Sequence, residues 1–340
     1  MTLPAALHDN PYLRDLLDQP RALRDTIGGL ALTPALDAAV SGTYDAVVLT
    51  GMGSSYHGLH PLNLRLAEHG LRPVMVETSE LLYHAPRLLE ERVLLVAVSQ
   101  SGRSVEILRL LERKGPRPVM IGVTNSADSP LAAKADAALV TRAGPESTVA
   151  CKTYASTLAA LDWLGPVLCG QKPDQVVDEV ERTARLAEEY LASWKEHVQV
   201  LLPLMQGVRH VFLVGRGPSL ASVGNGALIL KESSHVHAEG MSSPSFRHGP
   251  IEMMREDVFV LVFSGAPATA ALNERLVLDI RGGGWRAALV GESAQPGPFR
   301  LPASPVLEML PVQMMSLALA ILTGHEPGRF TIGTKVTTVE

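Results

Sequence analysis

Small polar residues gather at two places in the first third of the sequence, each directly after a short apolar run. Their hydroxyl, amide and backbone N–H groups are hydrogen-bond donors for an anion, and a glycine among them lets the backbone come close. Serine and glycine are also common in turns and at helix N-termini, so any one of these residues is more often structural. Taken together they favour a phosphate cradle. The set is Ser54, Ser55, Ser99, Gln100, Ser101, Gly102 and Ser104.

Six short runs rich in Val, Ile and Leu recur along the chain, separated by stretches long enough for helices. Near-continuous apolar runs of this kind predict parallel strands that are buried on both faces of a sheet. In such sheets ligands bind at the carboxyl ends of the strands, where helix N-termini offer free N–H groups. The runs are residues 45–50, 93–99, 119–124, 211–214, 258–263 and 287–290.

The two halves of the chain share a spacing. Gly51 and Gly215 each follow the first run of their half and lie 164 residues apart, while Ser99 and Ser264 lie 165 apart. A repeated spacing favours a duplicated α/β unit over two unrelated domains. An amphipathic stretch from residue 174 to about 205 is predicted to connect the halves. Before the first run, the sequence predicts one or two leading helices.

Composition excludes several classes of protein. Hydrophobic residues make up 46% of the chain, which argues against intrinsic disorder, and the net charge of −5 argues against nucleic acid as a partner. Two cysteines, Cys151 and Cys169, are too few for a disulfide framework or a tetrahedral thiolate metal site, and they fit a reducing cytosol. No apolar run approaches the roughly 18–20 residues of a membrane helix, and the N-terminus lacks signal-peptide features. We expect a cytoplasmic protein without a membrane partner.

Nucleotide and metal motifs are not supported. Gly51-Met52-Gly53 is followed by Tyr56 where a dinucleotide fingerprint needs a third glycine, and Gly215-Arg216-Gly217 fails in the same way. No phosphate-binding loop of the G-x-x-x-x-G-K-[ST] type occurs. His235 and His237 alternate, but two histidines without a nearby third ligand do not make a metal site. We expect no cofactor and no metal.

An ordered series of short motifs resembles the sugar isomerase (SIS) domain family and covers the chain from about residue 10. The closing residues 335–340 (KVTTVE) are similar to the C-terminal tail of the isomerase domain of glucosamine-6-phosphate synthases. Each motif alone is weak, whereas the ordered set is specific. The other motifs are residues 53–58 (GSSYHG), 99–104 (SQSGRS), 149–153 (VACKT), 215–217 (GRG), 230–232 (LKE), 237–239 (HAE) and 247–250 (RHGP).

The resemblance implies two doubly wound, flavodoxin-like α/β domains in tandem, a sugar-phosphate substrate, and a homodimer with a shared active site. It implies that Glu232 shuttles a proton between C1 and C2, that His248 from the neighbouring subunit opens the sugar ring, and that Lys335 forms an imine with an open-chain ketose. Carboxylate, imidazole and amine suit these tasks chemically. The implied substrate-binding residues are Ser54, Ser55, Ser99, Gln100, Ser101, Ser104, Val149 and Ala150.

The same resemblance divides the chain into five predicted segments. They are an N-terminal helical segment over 1–27, a first SIS domain over 28–172, a connecting helix over 173–205, a second SIS domain over 206–328, and an active-site tail over 329–340.

The sequence departs from the synthases in three respects. After Met-Thr it goes almost directly into linker-like residues 18–24 without a glutaminase domain, so we expect no ammonia transfer from glutamine. Ile229 stands where the synthases have a lysine three residues before the shuttling glutamate, which counts against amino transfer but leaves C1–C2 proton transfer in place. Arg103 replaces an acidic residue of the phosphate segment and could add a charge-assisted contact to the substrate.

Three functions fit these residues. The leading hypothesis is an enzyme that isomerises an amino-sugar 6-phosphate and releases ammonia, as glucosamine-6-phosphate deaminases do. The alternative enzyme is a deglycase that splits a 6-phosphorylated fructosamine into glucose 6-phosphate and an amine. The third, from another class, is a non-catalytic module that senses a sugar phosphate. The presence of Glu232, His248 and Lys335 together favours catalysis over sensing.

Overall fold

The computed structural model of the chain describes residues 3–339. Residues 1, 2 and 340, and with them the outer ends of the predicted segments 1–27 and 329–340, lie outside the described residues. The chain forms two compact units, which we name by their sheets. The five-strand unit contains residues 18–146, 150–184 and 332–339, and the four-strand unit contains residues 3–17, 147–149 and 185–331.

Strands and helices alternate along most of the chain. The strands are β1 Ala46–Gly51, β2 Pro73–Glu77, β3 Val93–Val98, β4 Val119–Thr124, β5 Ala137–Val140, β6 His210–Gly215, β7 His237–Ser242, β8 Val258–Phe263 and β9 Arg286–Val290. The helices are α1 Pro11–Leu17, α2 Gln19–Gly29, α3 Pro34–Val40, α4 Ser54–His57, α5 His60–Glu68, α6 Thr78–Tyr83, α7 Val105–Arg113, α8 Pro130–Lys134, α9 Lys152–Leu168, α10 Asp174–Ala192, α11 Trp194–Met205, α12 Leu220–Ser234, α13 Ser243–Arg247, α14 Pro267–Gly282 and α15 Pro305–Thr323.

The sheet of the five-strand unit has the order β2-β1-β3-β4-β5, and all its strand pairs are parallel. β3 is buried along its whole length, as expected for a central strand covered by helices on both faces. One cluster of the core joins β3 residues such as Val93, Leu95 and Ala97 to Leu81 and Leu110 of the flanking helices. The order of the strands reverses between β1 and β3, which is where doubly wound sheets bind ligands.

The sheet of the four-strand unit repeats this order as β7-β6-β8-β9, again with parallel pairs. β6 begins 164 residues after β1, β7 begins 164 after β2, and β8 begins 165 after β3. The predicted fold class, two doubly wound parallel-sheet domains in tandem, is confirmed.

All six predicted strands are present, with ends that differ by at most one residue. Three strands are missing from the sequence prediction, namely β2, β5 and β7, and each is the outer strand of its sheet. An edge strand has one hydrogen-bonded neighbour and less burial, so its sequence need not be a continuous apolar run. β7, for example, reads HAEGMS and exposes His237 and Glu239.

The predicted connecting helix over 173–205 is wrong in one respect, because this segment forms two helices, α10 and α11. The break is at Ser193, where φ is −101° and ψ is 23°. The Ser193 N–H donates to Tyr190 O, three residues back, at 3.2 Å, so the helix tightens and stops there. The amphipathic pattern continues across the break, which is why the sequence suggests a single helix. The predicted leading helices are α1 and α2, and a third helix, α3, also precedes the first strand without having been predicted.

One helix of the four-strand unit is unusually apolar. α15 is long and apolar enough to cross a membrane by length and composition, which corrects the expectation that the chain has no such segment. Glu308 interrupts the apolar run in the sequence, but this residue is itself buried within the helix. Of the most apolar window of α15, 83% is buried inside the structure, as in the core helix of a globular domain.

A carboxyl group in α9 couples the stability of the five-strand unit to pH. Burial raises the pKa of Asp162 from its ordinary value of 3.8 to about 6; Arg65 opposes this rise and Glu179 adds to it. The folded chain therefore holds this proton more tightly than the unfolded chain does. It follows that this group lowers stability progressively as the pH rises from about 4 to about 6, and the full loss persists above that range.

We expect Asp162→Asn to remove this penalty. The variant should gain about 1–3 kcal/mol in free energy of unfolding at pH 7, because each unit of pKa shift corresponds to about 1.4 kcal/mol. The gain should shrink toward pH 4. Urea unfolding of the wild type and the variant at pH 4, 5, 6 and 7 measures the difference, with Asp178→Asn as an exposed control on α10. A difference that does not depend on pH contradicts the raised pKa.

Candidate active site

The predicted phosphate-binding residues meet at the carboxyl ends of two neighbouring strands. β1 and β3 are paired, with Gly51 opposite Val98. Ser54 and Ser55 begin α4 shortly after β1, and the 99–104 loop joins β3 to α7. This close approach favours glycine, since a Cβ on Gly51 would lie 3.0 Å from the carbonyl oxygen of Val98 and 3.1 Å from Ser55 Cβ. The fold thus brings Ser54, Ser55, Ser99, Gln100, Ser101 and Ser104 to one edge of the sheet.

The 99–104 loop is shaped around Gly102. Its N–H donates to Ser99 Oγ at 3.1 Å and to Ser99 O at 3.2 Å. Gly102 has a φ of +61°, in the left-handed region that other residues rarely adopt. A Cβ there would also collide with Ser129 and lie 3.0 Å from Thr124 Oγ1. Ser129 in turn caps α8 by accepting from Ala132 N–H at 3.2 Å, so it has little freedom to move.

The only long cationic side chain of the loop points to a neighbouring carboxylate. Arg103 donates to the carbonyl oxygen of Asp128 at 2.8 Å and pairs with its carboxylate at 3.0 Å. The contact of Arg103 to substrate considered from the sequence stays a prediction. The backbone N–H of Arg103 also donates to Ser101 Oγ at 3.2 Å. Neutral hydroxyl and amide groups thus form most of this edge of the five-strand unit.

Ser104 lies at the start of α7 but does not cap it. This residue occupies the N-cap position, and its side chain makes no capping hydrogen bond. The first N–H of the helix, on Val105, instead donates to the carbonyl oxygen of Thr337 in the C-terminal tail, at 3.1 Å. The positive end of a helix attracts an anion, and a hydroxyl that is not needed as a cap remains able to bind one.

Asn125, which follows β4, fixes the 99–104 loop relative to a second loop over 141–146. Its backbone N–H donates to Gln100 O at 3.0 Å. Its side chain bonds to the second loop through both amide atoms, which leaves it little freedom to turn. Its Nδ2 donates to Gly144 O at 2.8 Å. Its Oδ1 accepts from Thr141 Oγ1 at 3.0 Å and from the N–H of Ala143 at 2.7 Å.

A buried carboxylate at the end of the second loop holds the tail lysine. The side chain of Glu146 is fully buried, and its Oε2 accepts from Lys335 Nζ at 2.5 Å. The carboxylate also accepts from the N–H groups of Cys151 and Thr153, at 3.0 and 3.1 Å, and from Thr153 Oγ1 at 2.5 Å. These donors lie at the start of α9, where the helix dipole favours a negative charge. Glu146 therefore binds the helix start and the tail at once.

The remaining residues of the 149–153 motif are close to this carboxylate in sequence. Val149 is fully buried and Ala150 is half-buried. Lys152 is buried too and pairs with Asp18 at 2.9 Å. A hydrogen bond from Arg21, together with Lys152, holds the pKa of Asp18 below its ordinary value against the opposing effect of burial. Lys152 thus joins α9 to the start of α2.

Glu232 and His248 both lie in the four-strand unit, whereas Lys335 lies in the five-strand unit. Glu232 is half-buried in the last turn of α12, the helix that leads from the carboxyl end of β6 to the amino end of β7. His248 is exposed and follows α13, beyond the carboxyl end of β7. The connectivity therefore places Glu232 and His248 toward opposite ends of the strands. Ile229, which stands where the synthases have a lysine, is fully buried in the core.

Two residues of this site escape the sequence analysis, Asn125 and Glu146. Both act through partners that are distant in the sequence, as the separation of 189 residues between Glu146 and Lys335 shows. One signal was available, because an acidic residue just before a long apolar helix is favourably placed for its N-terminus. As for metals, no three His, Cys, Asp or Glu side chains within residues 3–339 form a group that could hold an ion.

Comparison with known proteins identifies the family. The model of the SIS domain matches residues 45–165 and 204–282, more than half of the chain, and the chain belongs to this family. It is 32% identical over 354 residues to the glutamine–fructose-6-phosphate aminotransferase (isomerizing) of Pyrococcus horikoshii, and 30% identical over 351 residues to that of Streptomyces coelicolor. These alignments cover 98% and 92% of the chain but 58% and 56% of the relatives, so the chain spans less than two thirds of their length.

Solved structures share the fold. The C-terminal domain of glucosamine-fructose-6-phosphate aminotransferase from Francisella tularensis has a TM-score of 0.81 at 21% identity, over 94% of this chain and 98% of that one. Glucosamine-6-phosphate deaminase from Thermotoga maritima has a TM-score of 0.76 at 20% identity, over 97% and 100%. At these identities the likeness establishes the tandem α/β architecture.

The bonds of Glu146 lead to a prediction about the tail. Replacing Glu146 by Gln removes the charge that holds Lys335, so residues 332–339 should exchange their amide hydrogens faster. The start of α9 should loosen as well, and the free energy of unfolding should fall by about 1–3 kcal/mol, the usual cost of disturbing buried hydrogen bonds. Hydrogen–deuterium exchange and urea unfolding measure the two effects.

Lys335→Met is the matched control for this prediction. It removes the same ion pair but leaves Glu146 with its donors at α9, so the tail should loosen while the start of α9 stays protected. Tail exchange that is unchanged in both variants contradicts the role given to the ion pair.

Proposed function

We propose that this chain is a phosphosugar isomerase that converts an amino-sugar 6-phosphate, glucosamine 6-phosphate, into fructose 6-phosphate and ammonia. Membership of the SIS family supports a phosphosugar enzyme at the general level. The observation that carries the finer proposal is the anchoring of Lys335 through Glu146 in the same unit that contains the strand-end serines. An amine that reacts with a sugar carbonyl is thereby tied to the element that would hold the sugar phosphate.

The phosphate is assigned to the hydroxyl groups after β1 and β3 and to the N-terminal end of α7. Ser55 and Ser104 offer hydroxyl groups, and the 99–104 loop offers backbone and amide donors. A phosphate bound by neutral donors and a helix end needs no net positive charge on the protein. The slightly acidic composition is therefore compatible with an anionic substrate.

The isomerisation is assigned to His248 and Glu232. His248 moves the proton that opens the ring, a task suited to a group that gains and loses a proton near neutral pH. Glu232 then takes the proton from C2 of the open-chain aldose and returns it to C1. A second proton passes from the substrate nitrogen to O1, so that C1 becomes an alcohol and C2 becomes an imine that still carries this nitrogen.

The release of ammonia is assigned to Lys335 and Glu146. As an ammonium paired with Glu146 at 2.5 Å, Lys335 is not a nucleophile, so it first passes a proton to the imine nitrogen of the substrate. The free amine adds to C2, ammonia leaves, and a lysine imine forms. Water then hydrolyses this imine, which releases fructose 6-phosphate and restores the lysine. The sum is one glucosamine 6-phosphate and one water converted to one fructose 6-phosphate and one ammonia.

Ile229 supports release of nitrogen over its incorporation. The resemblance to the synthases implies that they have a lysine at this position. Here the position is filled by a buried apolar side chain, which provides no second amine. A deglycase would use the same residues on a 6-phosphorylated fructosamine, and it differs in the size of the amine that leaves.

The direct test is ammonia release from glucosamine 6-phosphate, followed with a coupled assay. Wild-type protein should release ammonia and fructose 6-phosphate in equal amounts, and Glu232→Gln should reduce kcat by about 10²–10⁴-fold, as expected when a general base is removed. Glu256→Gln, an exposed carboxylate change in the same unit, should leave kcat unchanged.

Absence of ammonia above background at high enzyme concentration contradicts the deaminase. In that case glucose 6-phosphate formation from a fructosamine 6-phosphate identifies the deglycase. Saturable binding of sugar phosphates without turnover of either compound identifies a sensing module.

The placement of Glu232 and His248 toward opposite ends of the strands supports a homodimer in which they serve one site from two chains. Glu232→Gln and His248→Ala proteins should each be inactive, and a mixture that exchanges subunits should recover about a quarter of the wild-type activity, since half of the dimers are hybrids with one intact site each. Each variant incubated with itself is the control. No recovery of activity after proven subunit exchange contradicts a shared site.

The cytoplasmic location stays a prediction.

A further inference from the structure

The four-strand unit repeats the strand-end arrangement of the five-strand unit. β6 and β8 are paired as β1 and β3 are, and the strand order reverses between them in the same way. Ser219 stands 164 residues after Ser55, the same offset that separates Gly215 from Gly51. The chain after β8 also closes on this residue, since a Cβ on Gly265 would lie 3.2 Å from Ser219 Oγ. Ser219 is therefore the counterpart of Ser55 in the duplicated unit.

A carboxylate of the same unit is hydrogen-bonded to this serine. Glu308, in the first turn of α15, accepts from Ser219 Oγ at 2.7 Å through Oε1 and from Ser222 Oγ at 2.7 Å through Oε2. All three residues are nearly inaccessible, and Glu308 is 1% exposed. Burial raises the pKa of Glu308, while the bonds from the two serines lower it.

The surroundings of Glu308 are those of an anion-binding site. Burying a carboxylate is unfavourable unless hydrogen bonds or charges compensate it. Here both oxygens receive a hydroxyl donor, and Ser219 and Ser222 flank the N-terminal end of the long helix α12, which favours a negative charge. Among the described residues, the side chains that lower the pKa of Glu308 against burial are these two serines. Hydroxyl groups at a helix N-terminus are the same partners that a bound phosphate uses.

The five-strand unit also has a buried acidic residue, and it uses that residue differently. Glu146 also lies near the start of the last long helix of its unit, but its carboxylate is engaged by the start of α9 and by Lys335. In the four-strand unit the carboxylate of Glu308 accepts a hydrogen bond from the strand-end serine, Ser219. The position of Ser222 corresponds to Gly58 in the five-strand unit, so the second hydroxyl that holds Glu308 has no counterpart there.

We propose that Glu308 is an internal anion that fills the duplicated copy of the strand-end anion site. The four-strand unit is thereby closed to ligand, and each chain has one exchangeable anion site, at the five-strand unit. Removing the carboxylate should open a site for a small carboxylate in the four-strand unit. This inference does not depend on which reaction the chain catalyses.

The test is rescue of Glu308→Ala by sodium formate, which supplies a carboxylate small enough for the space that the substitution leaves. The full-length variant should have a lower Tm than wild type, and formate should raise its Tm in a saturable manner, because a ligand that binds the folded state stabilises it by mass action. Sodium chloride at equal concentration is the control for a salt effect. Wild-type protein should show no more response to formate than to chloride in the same range.

A second set of variants identifies the serines as the donors. Glu308→Ala combined with Ser219→Ala and Ser222→Ala should lose the response to formate. Equal effects of formate and chloride on Glu308→Ala, or a formate response that survives the loss of both serines, would overturn the proposal.

A third arm covers failure of the Ala variant to fold. Glu308→Gln keeps the shape of the side chain without its charge and should fold without responding to formate. If Glu308→Ala folds only when refolded in formate, the proposal holds; if it folds in neither salt while Glu308→Gln is stable, the carboxylate acts as packing and the proposal fails. None of these experiments measures activity on sugar phosphates, so their results do not test the proposed function.

Discussion

The candidate site of the five-strand unit depends on one buried anion, the carboxylate of Glu146. A carboxylate removed from water has to be compensated fully, and here the compensation comes from the start of α9 and from the tail lysine. The same residue ends the loop that Asn125 fixes to the 99–104 loop. Strand ends, helix start and tail are therefore positioned by a short series of hydrogen bonds that all lie within one compact unit.

Duplication of a parallel α/β unit gives two sheets of the same order, but the chemistry at their strand ends has diverged. In one unit the acidic residue faces an amine, and the strand-end serines lie beside loops of glycine and hydroxyl residues. In the other, Glu308 lies on Ser219 and Ser222. Both solutions satisfy the same physical requirement, because hydroxyl groups at the N-terminal end of a helix are best paired with negative charge. The repeated architecture of the two units thus places few limits on which side chain provides that charge.

Much of this fold could be predicted from the sequence, since central parallel strands need continuous apolar runs and six of them stand out. The edge strands β2, β5 and β7 could not, because they are short or half-exposed and carry residues such as His237 and Glu239. The candidate serines are local in sequence and were found by their position after strands. Glu146 and Asn125 were not, since Lys335 and Gln100 reach them only through tertiary contacts. The break at Ser193 depends on backbone angles that an uninterrupted amphipathic pattern does not reveal.

Gly102 makes the sequence of the 99–104 loop depend on residues that are distant from it in the sequence. A side chain at this position would meet Ser129 and Thr124, and the backbone there has a φ of +61°. Shortening residue 129 relieves the collision but also removes the cap of α8, and it leaves the backbone preference unchanged. Change at 102 therefore requires simultaneous substitutions at positions that are more than twenty residues apart. Position 102 is therefore constrained by packing and backbone geometry, whatever the hydroxyl groups around it bind.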